Sequence, residues 1–135
     1  MQPQLPEPRP NADSIEYWAR AAEGRLVLRR CEDCGKHHFP PRLLCPACWS
    51  DRLHWSEASG EASVYTFTVM HRAPLPEFAA HLPYVVALVD LAEGPRMMAN
   101  IVGDNARGVR IGDTVRLCFE QRGEHRLPQF HRLRA

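Results

Sequence analysis

Lysine is almost missing from this chain: Lys36 is the only one among 17 basic residues, which stand against 16 acidic ones for a formal charge of +1. A balance that close removes the net field that would argue for nucleic acid or an anionic membrane as a partner. No uninterrupted apolar run approaches the roughly 18 residues of a membrane span. The proline-rich start "MQPQLPEPRPN" lacks the apolar segment of a signal peptide. Together these lead us to expect a cytoplasmic, soluble protein with no membrane partner. A glycine-rich phosphate loop, a GxSxG elbow and an HExxH helix are also missing, and the seven histidines are scattered. No catalytic residue is therefore assigned.

What the chain does have is five cysteines, four of them in "CEDCGKHHFPPRLLCPACWS". A cytosolic chain keeps thiols reduced, so paired cysteines there read as metal ligands or redox groups before disulfides. Cys31 with Cys34 and Cys45 with Cys48 make two CxxC pairs separated by ten residues. A two-residue spacer lets both thiolates of a pair reach one metal, and two such turns complete a tetrahedron. A redox dithiol predicts one reactive CxxC, whereas these two are symmetric. The spacing thus favours one bound Zn²⁺ over iron, held by Cys31, Cys34, Cys45 and Cys48. Four thiolates leave no open coordination position, so such a zinc is structural. His37 and His38, midway along the hairpin, are expected to be exposed. Cys118, between Leu117 and Phe119, reads as a small apolar strand residue.

Around this cluster the chain divides into an arm over residues 1–12, a helix over 13–24, a zinc ribbon over 25–59 and a barrel over 60–135. The arm holds four prolines and little to bury. In the helix Asp13 can cap the N-terminus, Gly24 suits the position after the last turn, and Ile15, Trp18, Ala19 and Ala22 fall on one face. Segments 25–30 and 52–59 read as strands entering and leaving the ribbon. Beyond Gly60, five β segments (62–71, 83–91, 96–102, 114–120 and 126–133) follow one another with no stretch of helical period. A small closed barrel follows, since closure removes exposed edges. The OB barrel fits best, with an SH3-like barrel as its rival. The connection "RAPLPEFAAHL" is unusually apolar, suited either to packing over the barrel mouth or to meeting a partner. Tyr65 and Phe67 are expected on one strand face, with no basic residue interleaved, so single-strand nucleic-acid binding is disfavoured.

The order "IEYWARAAEGRLVLRRC", "CEDCG", "PPRLLCPAC", "TVMHRAP", "PYVVALVDLAEGPRMMANIVG" and "VRIGDTVRLCFE" resembles the zinc-ribbon/OB-fold family associated with acyl-CoA metabolism, long known as a domain of unknown function. The resemblance covers roughly residues 13–130. It implies a mainly β fold: an N-terminal helix, a rubredoxin-like zinc ribbon and a C-terminal five-stranded OB-fold barrel. It implies zinc on the four cysteines named above. It also implies an accessory subunit, not an enzyme alone, that binds acyl-CoA or completes a thiolase-like enzyme, an aldolase or an enoyl-CoA hydratase. The "TVMHRAP" match places the ligand or partner contact at residues 68–74. With the apolar loop, this gives His71, Arg72, Phe78 and Arg96 as candidate ligand-binding residues, the arginines for CoA phosphates. The alternatives are an OB-fold nucleic-acid or protein-binding adaptor with a structural zinc, and a rubredoxin-like electron carrier.

Overall fold

A computed structural model describes residues 4–133. Its one α-helix, α1 (Ile15–Ala22), begins at an Asn-based turn: the Asn11 side-chain oxygen accepts the N–H groups of Asp13 and Ser14 at 3.1 and 3.0 Å. Asn11, not Asp13, therefore satisfies the donors ahead of the helix. Its other end is as expected. Gly24 takes φ +80°, donating to the Ala21 carbonyl, and Arg25 N–H reaches back to Arg20 at 3.0 Å. The buried face differs from the expected one: Tyr17 and Ala21 are buried, while Ile15, Ala19 and Ala22 are exposed. Aromatic area decides this, because Tyr17 meets Trp18 edge-on at 4.9 Å and Phe39 at 5.6 Å.

The ribbon is a three-stranded antiparallel sheet in which β1 (Val27–Cys31) lies between β2 (His37–His38) and β3 (Leu53–Glu57). β1 ends on Cys31 and so delivers the first sulfur directly from the sheet. His38 is buried, contrary to expectation, and neither ring nitrogen has a hydrogen-bond partner. Burial, followed by the charges of Arg29 and Arg42, holds its pKa below the ordinary value.

The barrel comprises β4 (Glu61–Met70), β5 (Tyr84–Leu91), β6 (Arg96–Val102), β7 (Thr114–Arg122) and β8 (His125–Arg132). It closes in the order β4-β5-β6-β8-β7, with β7 returning to β4 and only the β6–β8 pair parallel. This is the OB arrangement, not the SH3-like one. Strict alternation sends Val85, Ala87, Val89 and Leu91 inward from β5. They meet Met97, Ala99, Ile101, Val115 and Phe130, so small alanines lie among large side chains. Tyr65 falls at a register shift between Val64 and Thr66. Tyr65 faces outward by alternation after the buried Val64, and the irregularity brings Phe67 round to pack against the core, so the two do not share a face. No helix among the described residues is long and apolar enough to cross a membrane.

Candidate functional site: a four-cysteine cage and a double cleft

The two CxxC turns bring four sulfurs together, all within 4.8 Å of one another. Cys31 and Cys48 Sγ are 3.5 Å apart, Cys34 and Cys45 Sγ 3.7 Å. Tetrahedral zinc with Zn–S bonds of about 2.3 Å requires S···S separations near ~3.8 Å, so the cage fits the ion. The Cys34 N–H, with smaller help from its neighbours, pulls the Cys31 thiol down to about 7. Cys48 is held down by the Ser50 N–H but pushed up to about 12 by the other three sulfurs. A divalent cation resolves that conflict by making all four thiolates favourable at once. The two turns are braced from outside the cage, where Arg52 donates to Asp33 at 2.8 Å and to Glu32 at 3.3 Å.

A second centre lies on the barrel. A cleft of about 530 Å³ opens between the loop preceding β5, the end of β6 and the β7–β8 hairpin, with Phe78, Tyr84, Asn100, Arg107 and Arg122 among its walls. A neighbouring trough of about 400 Å³ shares Phe78, Tyr84, Asn100 and Arg122, but its other walls include Trp18, Phe39, Met98 and Leu127. The first compartment thus mixes apolar walls with charged ones at Asp104, Arg107, Glu120 and Arg122, and the next is mainly aromatic and aliphatic, the two joined where Phe78 leans on Tyr84 at 5.8 Å. The shared floor is a tied network. Gln129, almost fully buried, accepts the Asn100 backbone N–H at 2.6 Å and donates to the Asn100 side-chain oxygen at 3.1 Å. Asn100 in turn donates to the Val85 carbonyl at 2.9 Å. Arg122, its side chain only 13% exposed, donates to Glu120 at 2.6 Å, and its Nε–H is buried without a partner.

The N-terminal arm borders the same cleft. Leu5 lines it, and the Pro6 carbonyl accepts from Arg122 at 3.4 Å. The Glu7 carboxylate accepts the Glu124 N–H and meets His125 Nδ1, both at 3.1 Å. Gly123 makes room for it, since a Cβ there would overlap that carboxylate.

Comparison with known proteins then gives the family. The ChsH2 rubredoxin-like zinc ribbon domain matches residues 18–54, and the ChsH2 C-terminal OB-fold domain matches residues 55–120. A "DUF35 domain-containing scaffold protein" of Methanocaldococcus jannaschii is 38% identical over 109 residues, 79% of this chain and 77% of that protein. The chain belongs to the DUF35 family. A solved DUF35 structure, from the "Ltp2-ChsH2(DUF35) aldolase", superposes with a TM-score of 0.83 at 38% identity, covering 93% of this chain and 98% of the other. A "Probable enoyl-CoA hydratase alpha subunit" of Thermomonospora curvata is 40% identical over 126 residues, but the DUF35 chain spans only 39% of that protein's length.

Within this DUF35 chain the residues singled out from sequence are not all neighbours. Phe78 lines both compartments. His71 and Arg72 are exposed where β4 runs into the loop and line neither compartment. Arg96 lies at the start of β6 and lines neither compartment, although its neighbours Met97 and Met98 line the trough; it is bound to Asp90 at 2.6 Å and stacked 3.3 Å over Tyr65. In the connection after β4 a 3-10 turn over Pro76–His81 leans Phe78 on Tyr84, as the packed alternative expects, while Leu75 remains exposed. Tyr84, Asn100, Arg107, Arg122 and Gln129 were not singled out. Gln129 carried a usable signal, a polar side chain directly before the core residue Phe130.

Proposed function

We propose that this chain is a non-catalytic accessory subunit of an acyl-CoA-processing enzyme, an aldolase, a thiolase-like enzyme or an enoyl-CoA hydratase, and that it holds part of the acyl-CoA in its double cleft. The observation that supports the ligand reading is the junction at Phe78 and Tyr84, where a mainly apolar trough meets a cleft of mixed lining that bears Arg107 and Arg122. An acyl-CoA has that same division into an apolar tail and a phosphate-bearing body. Arg107, with no ion-pair partner among the described residues, and the half-satisfied Arg122 are the cations that would meet phosphate. Phe78 divides the compartments, and His71 and Arg72, which line neither, stay outside this reading. So does Arg96, engaged by Asp90 and Tyr65. The aldolase and hydratase names borne by its relatives support the accessory role. Zinc is a brace in this scheme, its four sulfur ligands leaving no position for water.

The nucleic-acid alternative needs open aromatic faces for base stacking. Tyr65, the exposed aromatic of β4, already carries the Arg96 guanidinium on its ring.

Calorimetry with CoA, acetyl-CoA and octanoyl-CoA, on the chain alone and with whichever aldolase, thiolase or hydratase subunit co-purifies with it, tests the proposal. Affinity should rise with acyl length. Phe78→Ala should remove that dependence, and Arg107→Ala should weaken all three ligands by about tenfold, the loss of one charge-assisted contact. Absence of CoA-thioester binding in both settings would sink the ligand half of the reading.

A further inference from the structure

The two cysteine turns are built alike except at one position. Gly35 follows the first CxxC at φ +75° and donates its N–H to the Cys31 carbonyl at 2.8 Å. Trp49 follows the second at φ +68° and donates to the Cys45 carbonyl at the same distance. Each turn is then closed alike, Cys31 N–H onto Lys36 O at 2.9 Å and Cys45 N–H onto Ser50 O at 2.8 Å. Left-handed backbone is the natural place for glycine, and a bulky side chain there carries strain. Trp49 is the one non-glycine residue with positive φ among the described residues. Its side chain recovers none of that strain inside the chain, for it is 78% exposed and stacks on no ring or cation. An unrewarded strained residue calls for an explanation outside the fold.

The surroundings supply one. Leu43 and Leu44 are exposed beside Trp49, and with Pro46 they bound a groove of about 480 Å³ whose rim carries Asp13 and Arg42. Arg42 has no ion-pair partner among the described residues, unlike Arg52, which is tied to Glu32 and Asp33.

We propose that Trp49, Leu43, Leu44 and Pro46 form the docking surface for the acyl-CoA-enzyme subunit, with an acidic group of that subunit facing Arg42. This rests on the accessory-subunit reading above and adds where the partner sits. Tryptophan and arginine are the residue types that dominate interface energetics, typically at a desolvated centre ringed by weaker contacts. The relatives named as parts of an aldolase and a hydratase support a subunit-sized protein as the occupant. A stable interface covers about 800 Å² per partner, so such a subunit would extend past the groove. The uncompensated cation fixes its chemistry as an apolar surface with an acid at the edge.

The test pairs the full zinc-loaded chain with the aldolase, thiolase or hydratase subunit that co-purifies with it. Calorimetry and sedimentation read binding, and melting temperature and zinc content are measured for each chain alone. Glycine relieves the strain at position 49, so Trp49→Gly should keep one zinc and melt no lower than wild type, up to about 4 °C higher. Its dissociation constant should nevertheless rise at least about tenfold, and Arg42→Glu should weaken binding about fivefold with unchanged melting. Binding by Trp49→Gly equal to wild type overturns the surface while leaving the accessory role intact, and so does a lowered melting temperature, which makes Trp49 an internal support. No binding by the wild type sinks both readings. A wild-type dimer that Trp49→Gly disperses assigns the surface to a second copy of the chain and overturns the enzyme subunit as occupant.

Discussion

His38 is held neutral by its surroundings and gains no hydrogen bond in return. Its folded-state pKa lies below the ordinary 6.5 because of burial first, then Arg29 and Arg42. A depressed value in the folded state means that the unfolded chain takes up the proton first as pH falls. The His38 contribution is therefore intact above about pH 6.5, and stability falls as pH drops below it until the folded-state pKa is passed. His38→Leu should stabilise the chain by about 1 kcal/mol at neutral pH and flatten the decline below 6.5. Urea unfolding at pH 7.5 and 5.5 in zinc-containing buffer would show both effects. At Gly123 the expected sign is opposite. That residue has φ +60° and a Cβ there would overlap the Glu7 carboxylate, so Gly123→Ala should destabilise by roughly 1–2 kcal/mol. It should also release the arm, measured as faster proteolytic cleavage within residues 4–12. Neither site could be read from sequence: His38 looks like a polar loop residue, and Gly123 like any turn glycine, until tertiary neighbours are known.

The elements themselves were far more legible than their faces. All five barrel strands and the ribbon strands β1 and β3 lie where β-branched and aromatic runs between turn residues put them, whereas the two-residue β2 was not expected. The helix was placed correctly but turned wrongly, because periodicity counts apolar positions and not the area each can bury. Tyr17 and Trp18, adjacent in sequence, outweigh Ile15 and two alanines once Phe39 of the ribbon stands opposite. The four-cysteine cage was legible in full because metal geometry fixes ligand spacing in advance. Beyond its cysteines the three ribbon strands have nine buried or half-buried positions, and only Val27, Leu28 and His38 among them are fully buried, so the ribbon should depend for its order on the metal, whose binding is worth on the order of 10 kcal/mol. Cys31→Ser or chelation should therefore abolish protection of residues 27–57 in hydrogen exchange while the barrel amides stay protected. Loss of activity in a complex would follow from that unfolding, and a well-ordered Cys31→Ser ribbon that is nonetheless inactive would give the cage a chemical role.

Across the whole molecule, the cleft shows why function was harder to see than fold. Leu5, Phe78, Asn100 and Arg122 are far apart in sequence and meet only because the barrel closes and the arm lies along its last hairpin. Closure depends on β8, which stands between β6 and β7 and bonds to both. Deleting residues 125–133 should thus remove the cooperative melt of the whole barrel, since Phe130 at the centre goes with it. A truncated chain that still melted cooperatively would contradict this order of strands. The same order governs synthesis on the ribosome. The ribbon sheet and all four of its sulfurs are made once Glu57 is joined, so the metal can be taken up while barrel residues are still being added. At about 5–20 residues per second, the 75 residues from there to the end of β8 at Arg132 take roughly 4–15 s. Throughout that interval the barrel strands already made and clear of the ribosome lack their closing partner and present an open, sticky edge. A pause in the final codons would leave that edge open longer, so translation speed near the last strand, and access to chaperones there, should set the yield of folded protein.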